Sequence, residues 1–206
     1  MMLNRTEQGA AGCMRRRRSA ARMLGMFLVA FFPFVAVRLL GSEAKEFPEY
    51  QLKAAFLYNF AKFVTWPSNV FPNADTPLTI GIVGEDPFHE TLRNLVADKR
   101  VGGRALAIKH FEPGDVIQEC HLLFISRSEK ERIPAILATL RGKSILTVSE
   151  IERFAQRGGM INLIMVGDRL RFEINPGVAE REGLKISSKL GILGIIVQSE
   201  TAPRGQ

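Results

Sequence analysis

The sequence predicts an α/β protein: a single three-layer domain with a mostly parallel sheet flanked by helices and a C-terminal antiparallel hairpin. Three observations carry this. Continuously apolar runs ("LTIGIV", "LLFI", "ILTV") recur with helix-like segments between them, as strands buried on both faces require. Near the C-terminus the pattern changes to "MINLIMV" and "RLRFEI", joined by Gly167-Asp168, a turn pair suited to a hairpin. In the second of these, Leu170, Phe172 and Ile174 alternate with Arg169, Arg171 and Glu173, the period of a half-exposed antiparallel strand.

The elements follow in order. "KAAFLYNFAKFVTWP" reads as an opening helix. On a helical wheel Leu52, Phe56, Leu57, Phe60, Ala61, Phe63 and Val64 cover about half the circumference, and Lys53 intrudes on that apolar half. So wide a stripe fits either deep burial or a second contact with another chain. Trp66-Pro67 ends this helix, with the indole expected to pack back on it, and Trp66–Pro77 is a Pro-rich loop. Leu78–Val83 is the first long strand. A helix is expected to enter at Asp86-Pro87, with Asp86 as N-cap. "RALAIKHF" and "CHLLFIS" are strands. Ser128 and Glu131 have capping-box spacing before "RIPAILATLRG", although Pro134 disturbs the first turn. "SILTV" is the next strand. Ser149 and Glu152 repeat the capping-box spacing before a short helix that stops at Gly158-Gly159. After the hairpin, Asn175-Pro176 starts a helix that Gly183 ends.

The charge is unevenly placed. Of the net +7, residues 1–48 carry +5 and residues 49–206 only +2, so the domain itself offers no basic tract for nucleic acid. The N-terminal excess belongs to an export signal. "MRRRRSAARM" is a positive segment, Met23–Val37 an apolar run, and Ser42-Glu43-Ala44 places small residues at a cleavage site. The rival reading is an uncleaved anchor, against which stand the short run, Pro33 within it and Arg38 after it. Residues 1–44 are therefore expected to be a cleaved signal peptide and residues 45–206 the exported domain. A start at Met14 would put the basic cluster directly at the N-terminus. With the signal removed, Cys120 is the sole cysteine. It excludes an internal disulfide and, in its apolar strand, is expected to be buried.

Enzymatic motifs are scarce. "GIVGEDPF" follows a strand but has neither a G-x-G-x-x-G fingerprint nor a P-loop lysine, and no G-x-S-x-G elbow occurs. His89, His110 and His121 sit in no metal-binding frame, so neither metal nor cofactor is expected. Gly84, Glu85 and Asp86 lie just after the first long strand, where open α/β sheets bind ligands. They are the candidate small-molecule site, against the plainer reading of Asp86 as a cap.

Several segments together resemble the YfiR family of small periplasmic proteins. "KAAFLYNFAKFVTWP" is similar to that family's opening helix, K-A-x-F-L-Y-N-F-x-K-F-x-x-W-P. "IGIVGEDPF", "GGR", "CHLLFIS", "ILTVSE", "FAQRGGMINL", "RFEIN" and "LKISSKL" follow in the family's order, from Tyr50 to Val197. The resemblance implies a non-enzymatic periplasmic repressor of a membrane-bound diguanylate cyclase, acting on cyclic-di-GMP synthesis and so on biofilm formation. A sensor kinase is the other partner that the resemblance allows. The best-known member is associated with disulfides, which Cys120 alone cannot reproduce internally. The alternative is a periplasmic small-molecule binding protein with its pocket at the strand C-termini.

The resemblance implies Lys or Arg at one or two places in the stretch "SSKLGILGIIVQSE", where this chain has Ile192 and Ile195. A segment merely packed on a sheet needs one apolar face, not all of them. Ile192, Leu193, Ile195 and Ile196 are therefore expected to meet a membrane partner or a second copy in a homodimer. The rival is a terminal core helix.

Overall fold

The computed structural model describes residues 49–200. The expected signal segment 1–44 and the mature start at Lys45 lie outside the described residues. Helix α1 (residues 49–63) leads into a two-residue strand β1 (Val64–Thr65), and after a 3₁₀ turn the chain enters β2 (Leu78–Val83). Then come α2 (Glu90–Val96), β3 (Arg100–Val101), β4 (Arg104–Phe111), β5 (Leu122–Ile125), α3 (Ile133–Leu140), β6 (Leu146–Ser149), β7 (Ile161–Val166) and β8 (Arg169–Ile174). The chain closes with α4 (Pro176–Arg181), β9 (Lys185–Ile186), α5 (Ser188–Leu193) and β10 (Ile195–Ile196).

Eight strands form one sheet in the order β10-β8-β7-β6-β5-β2-β4-β3, and β1 pairs with β9 in a separate antiparallel ribbon. From β7 across to β4 every neighbouring pair is parallel. The β7–β8 hairpin adds the expected antiparallel pair, with Gly167 at φ 61° in its turn. The α/β class and the mixed sheet are thus as the sequence predicts. Two small strands extend it: β3 folds back on β4, and β10 runs parallel to β8 beyond the hairpin.

Strand side chains alternate between two cores. Leu78, Ile80, Ile82, Leu122, Phe124, Leu146 and Val148 face α1 and α2; Val83, Leu123 and Ile125 face α3. The wide stripe of α1 is mostly core. Ala54, Leu57, Phe60 and Ala61 are fully buried, Phe56 and Phe63 are half-buried, and only Leu52 is exposed. Phe60 and Phe56 meet Phe172 edge-on at 5.2 and 5.6 Å, which ties α1 to β8. Val64 belongs to β1, so α1 ends at residue 63 rather than at Trp66. The indole Nε1 of Trp66 donates to the His121 carbonyl at 3.0 Å.

Four local expectations are corrected. The helix after β2 begins at Glu90, not at Asp86-Pro87. Asp86 Oδ1 accepts from the Phe88 N–H at 2.8 Å, closing a turn before the helix, and the residue preceding Glu90, His89, has φ 48°. Ser128 caps no helix: residues Arg127–Arg132 form a 3₁₀ turn, and Ser128 Oγ accepts from the Glu85 N–H instead. Pro134 fits the start of α3, where its missing N–H costs nothing. Ser149 lies inside β6, donating to the Ile125 carbonyl and accepting from the Ile151 N–H. The segment after it is a run of turns, interrupted where Arg153 takes φ 59°, rather than a helix. The C-terminal stretch is not one core helix but the short α5 followed by β10.

Cys120 is buried, as expected, and its thiol donates to the Leu122 carbonyl at 3.1 Å. Burial pushes its pKa up to about 12. A thiol reagent should therefore label urea-unfolded protein quickly and native protein slowly. Equal rates in the two states would contradict this environment.

His121 is also buried. Its Nδ1 accepts from the Thr79 N–H at 3.0 Å, and its ring stacks on Phe71 at 4.4 Å, with the Arg104 guanidinium over the other ring. Burial, aided by the Arg104 charge, holds its pKa below the usual 6.5. The unfolded chain then binds the extra proton first. Stability is full above the unfolded value and is lost as pH falls below 6.5 towards the folded one. Urea midpoints measured from pH 7.5 down to about 5 should fall, and His121→Gln should flatten that slope. An unchanged slope in the variant would assign it to other groups.

Candidate functional site

Two features stand out. The first lies at the C-terminal ends of β2, β5 and β6, beneath the first turns of α1. Glu150, the residue after β6, has a carboxylate with a side-chain exposure of 2%. The Tyr50 hydroxyl donates to its Oε1 at 2.9 Å, and Arg127 Nε lies 3.2 Å from the same oxygen. Lys53 Nζ donates to Oε2 and also pairs with Glu49. Its ammonium lies 4.3 Å from the centre of the Tyr50 ring. Burial, reinforced by the Glu150 charge, pushes the Tyr50 hydroxyl well above the usual phenol range, so it stays a donor.

No sequence motif marks this cluster as a site. Its one signal in the sequence is Lys53 on the apolar half of the α1 wheel. A lysine there must either snorkel out or find a buried anion, and it finds one 97 residues away. Two cations and two carboxylates balance, so the cluster binds α1 to the strand ends rather than offering free charge.

Gly84, Glu85 and Asp86 lie on the neighbouring loop. Gly84 takes φ 85°, and a Cβ there would meet Ser128 Oγ at 2.4 Å, so the 3₁₀ turn Arg127–Arg132 packs directly against it. Asp86 Oδ2 is 2.8 Å from His110 Nε2. His89 and His110 are exposed. Among the described residues no group of three or more His, Cys, Asp or Glu side chains is placed to hold a metal ion.

The second feature is the apolar C-terminal edge. Ser187 Oγ accepts from the Lys189 N–H and starts α5, whose Leu190 is buried. Ile192 and Leu193 point outward with exposures of 82% and 65%. The chain then returns through Gly194, where a Cβ would come within 2.7 Å of Phe172 and 2.8 Å of Ile174. That close approach lets β10 dock on β8 at the sheet margin, with Ile195 opposite Glu173 and Ile196 opposite Ile174. Ile195 and Ile196 remain 41% and 54% exposed. Four large aliphatic side chains in five consecutive positions thus face solvent on an edge strand and the helix before it. Such groupings on a folded surface commonly mark contact with another molecule.

No helix among the described residues is long and apolar enough to cross a membrane. A family model described as YfiR/HmsC-like matches residues 50–194, a span that takes in Tyr50, Lys53, Arg127, Glu150 and α5. No curated protein matches the chain.

Proposed function

This chain belongs to the YfiR/HmsC-like family, and from that premise we propose that it is an exported regulatory protein that binds and represses a membrane-bound signalling enzyme. The enzyme is a diguanylate cyclase, contacted on its periplasmic side, so that binding holds cyclic-di-GMP synthesis down. Beyond the family match, the reading is supported by the exposed apolar edge Ile192, Leu193, Ile195 and Ile196. A protein that acts by contact needs a surface that loses unfavourable hydration on binding. The chemistry proposed here is binding, not catalysis. A sensor kinase in the same position, or a second copy of this chain on the same edge, would use the same surface.

Export is part of the proposal. The tagged protein, recovered from periplasmic extract, should begin near Lys45 by mass spectrometry. Captured from detergent-solubilised membranes, it should bring down a cyclase, and deleting its gene should raise cellular cyclic-di-GMP. A stable full-length cytosolic species, or unchanged cyclic-di-GMP after deletion with no membrane enzyme captured, would overturn the reading.

A further inference from the structure

A groove lies between α3 and α4 where β6 and β7 begin. Its volume is about 510 Å³, within the roughly 300–1,000 Å³ typical of small-molecule sites. Helix geometry explains its walls. Ile133, Ile136 and Leu140 turn α3 onto the sheet, which leaves Pro134, Leu137, Ala138 and Arg141 along the adjoining stripe. On α4 the same spacing brings Val178 and Arg181 to the opposite wall, and Glu182, at the helix C-cap, joins them. Ile145 and Met160, the residues just before β6 and β7, supply an apolar floor, 4% and 2% exposed, beside buried Thr147 of β6. Gly158, at φ 100°, turns the chain so that Arg157 closes the third side.

The rim is electrostatically incomplete. Arg141, Arg157 and Arg181 are all exposed, and among the described residues none makes an ion pair or a side-chain hydrogen bond. The one carboxylate on the groove, Glu182, accepts the Gly142 N–H through Oε2. Three guanidiniums thus border an apolar floor with one acid among them. Guanidinium forks match planar oxyanions, and an apolar floor removes water from a hydrocarbon or aromatic body.

We propose that this groove binds a small amphiphilic carboxylate, its apolar body on Leu137, Ile145, Met160 and Val178 and its carboxylate held by the rim arginines. The site is separate from Gly84–Asp86, and it stands independently of the regulatory reading above.

Calorimetric titration of the purified protein tests it. The probes are 2-naphthoate for an aromatic body and decanoate for an acyl one, with 2-naphthamide as the neutral isostere. At least one carboxylate should bind one-to-one. The amide should bind about tenfold or more weakly than naphthoate, because it forfeits the charge-assisted bonds, and added salt should weaken carboxylate binding. In the triple variant Arg141→Ala/Arg157→Ala/Arg181→Ala, which changes only exposed side chains, carboxylate affinity should fall about tenfold or more at unchanged melting temperature. Whichever carboxylate binds tighter identifies the body. Failure of both carboxylates at millimolar concentration overturns the proposal. Equal binding of amide and naphthoate overturns it too, and that comparison needs no variant. Unaltered carboxylate affinity in the folded triple variant does the same.

Discussion

Replacing Lys53 with Met should lower the unfolding free energy by about 3–5 kcal/mol. The cause is not the loss of one attractive pair. Lys53 and Glu150 each keep only 2% of their side chains exposed. Without the ammonium, the Glu150 carboxylate stays buried with only Tyr50 and the largely exposed Arg127 to compensate it. Urea denaturation read by circular dichroism measures the loss. Adding Glu150→Leu to Lys53→Met removes the stranded charge, and the double variant should be more stable than the sum of the two single losses implies, by about 1–3 kcal/mol. Additive losses would show that the two groups do not act as a pair. A Lys53→Met variant within about 1 kcal/mol of the parent would show that the ammonium is not confined in solution as the structure places it.

The double substitution Ile192→Lys/Ile195→Lys should leave the fold intact and weaken association with the membrane enzyme about 30-fold or more, the scale of losing a central apolar contact. Ile192 is 82% exposed and Ile195 41%, so two lysines can be solvated without opening the core, and the melting temperature should hold within about 2 °C. The neighbouring Leu190 is the control. It is 3% exposed, and Leu190→Ala should cost about 2–5 kcal/mol by leaving a cavity. Cross-linking or capture from solubilised membranes reads the association. A folded Ile192→Lys/Ile195→Lys protein that still binds its partner normally would move the contact elsewhere, and Leu52 on α1, 47% exposed, is the next apolar candidate. Unfolding of this variant would return the C-terminal stretch to the core.

The helices show where local reading fails. Asn175 caps α4 as its position implies: its Oδ1 accepts from the Val178 N–H at 3.2 Å, while its amide nitrogen donates to the Ala155 carbonyl and the Ser199 hydroxyl. Ser128 and Ser149 carry equally good local signals but spend their hydroxyls on distant backbone groups. Ser128 meets Glu85, 43 residues away, and Ser149 meets the Ile125 carbonyl on the adjacent strand. A capping box describes only the donors within one turn. It is silent on a distant backbone group that the sheet brings closer.

The sequence by itself determined the class of fold, the number of long strands, the hairpin and the burial of Cys120. Those follow from side-chain period and apolar content, which act over a few residues. It also marked the apolar C-terminal stretch and the misplaced Lys53. Only the tertiary structure decided what became of them. Lys53 is buried because the parallel sheet carries Glu150 to the strand ends under α1, 97 residues along the chain. Leu190 is covered and Ile192 exposed because Gly194 lets β10 settle beside Phe172 and Ile174, which turns one side of α5 inward and leaves the other in water. The unpaired arginines of the α3–α4 groove are scattered over 41 positions, and no local pattern joins them. Burial and charge pairing depend on distances set by the whole chain, so they are decided when the layers close.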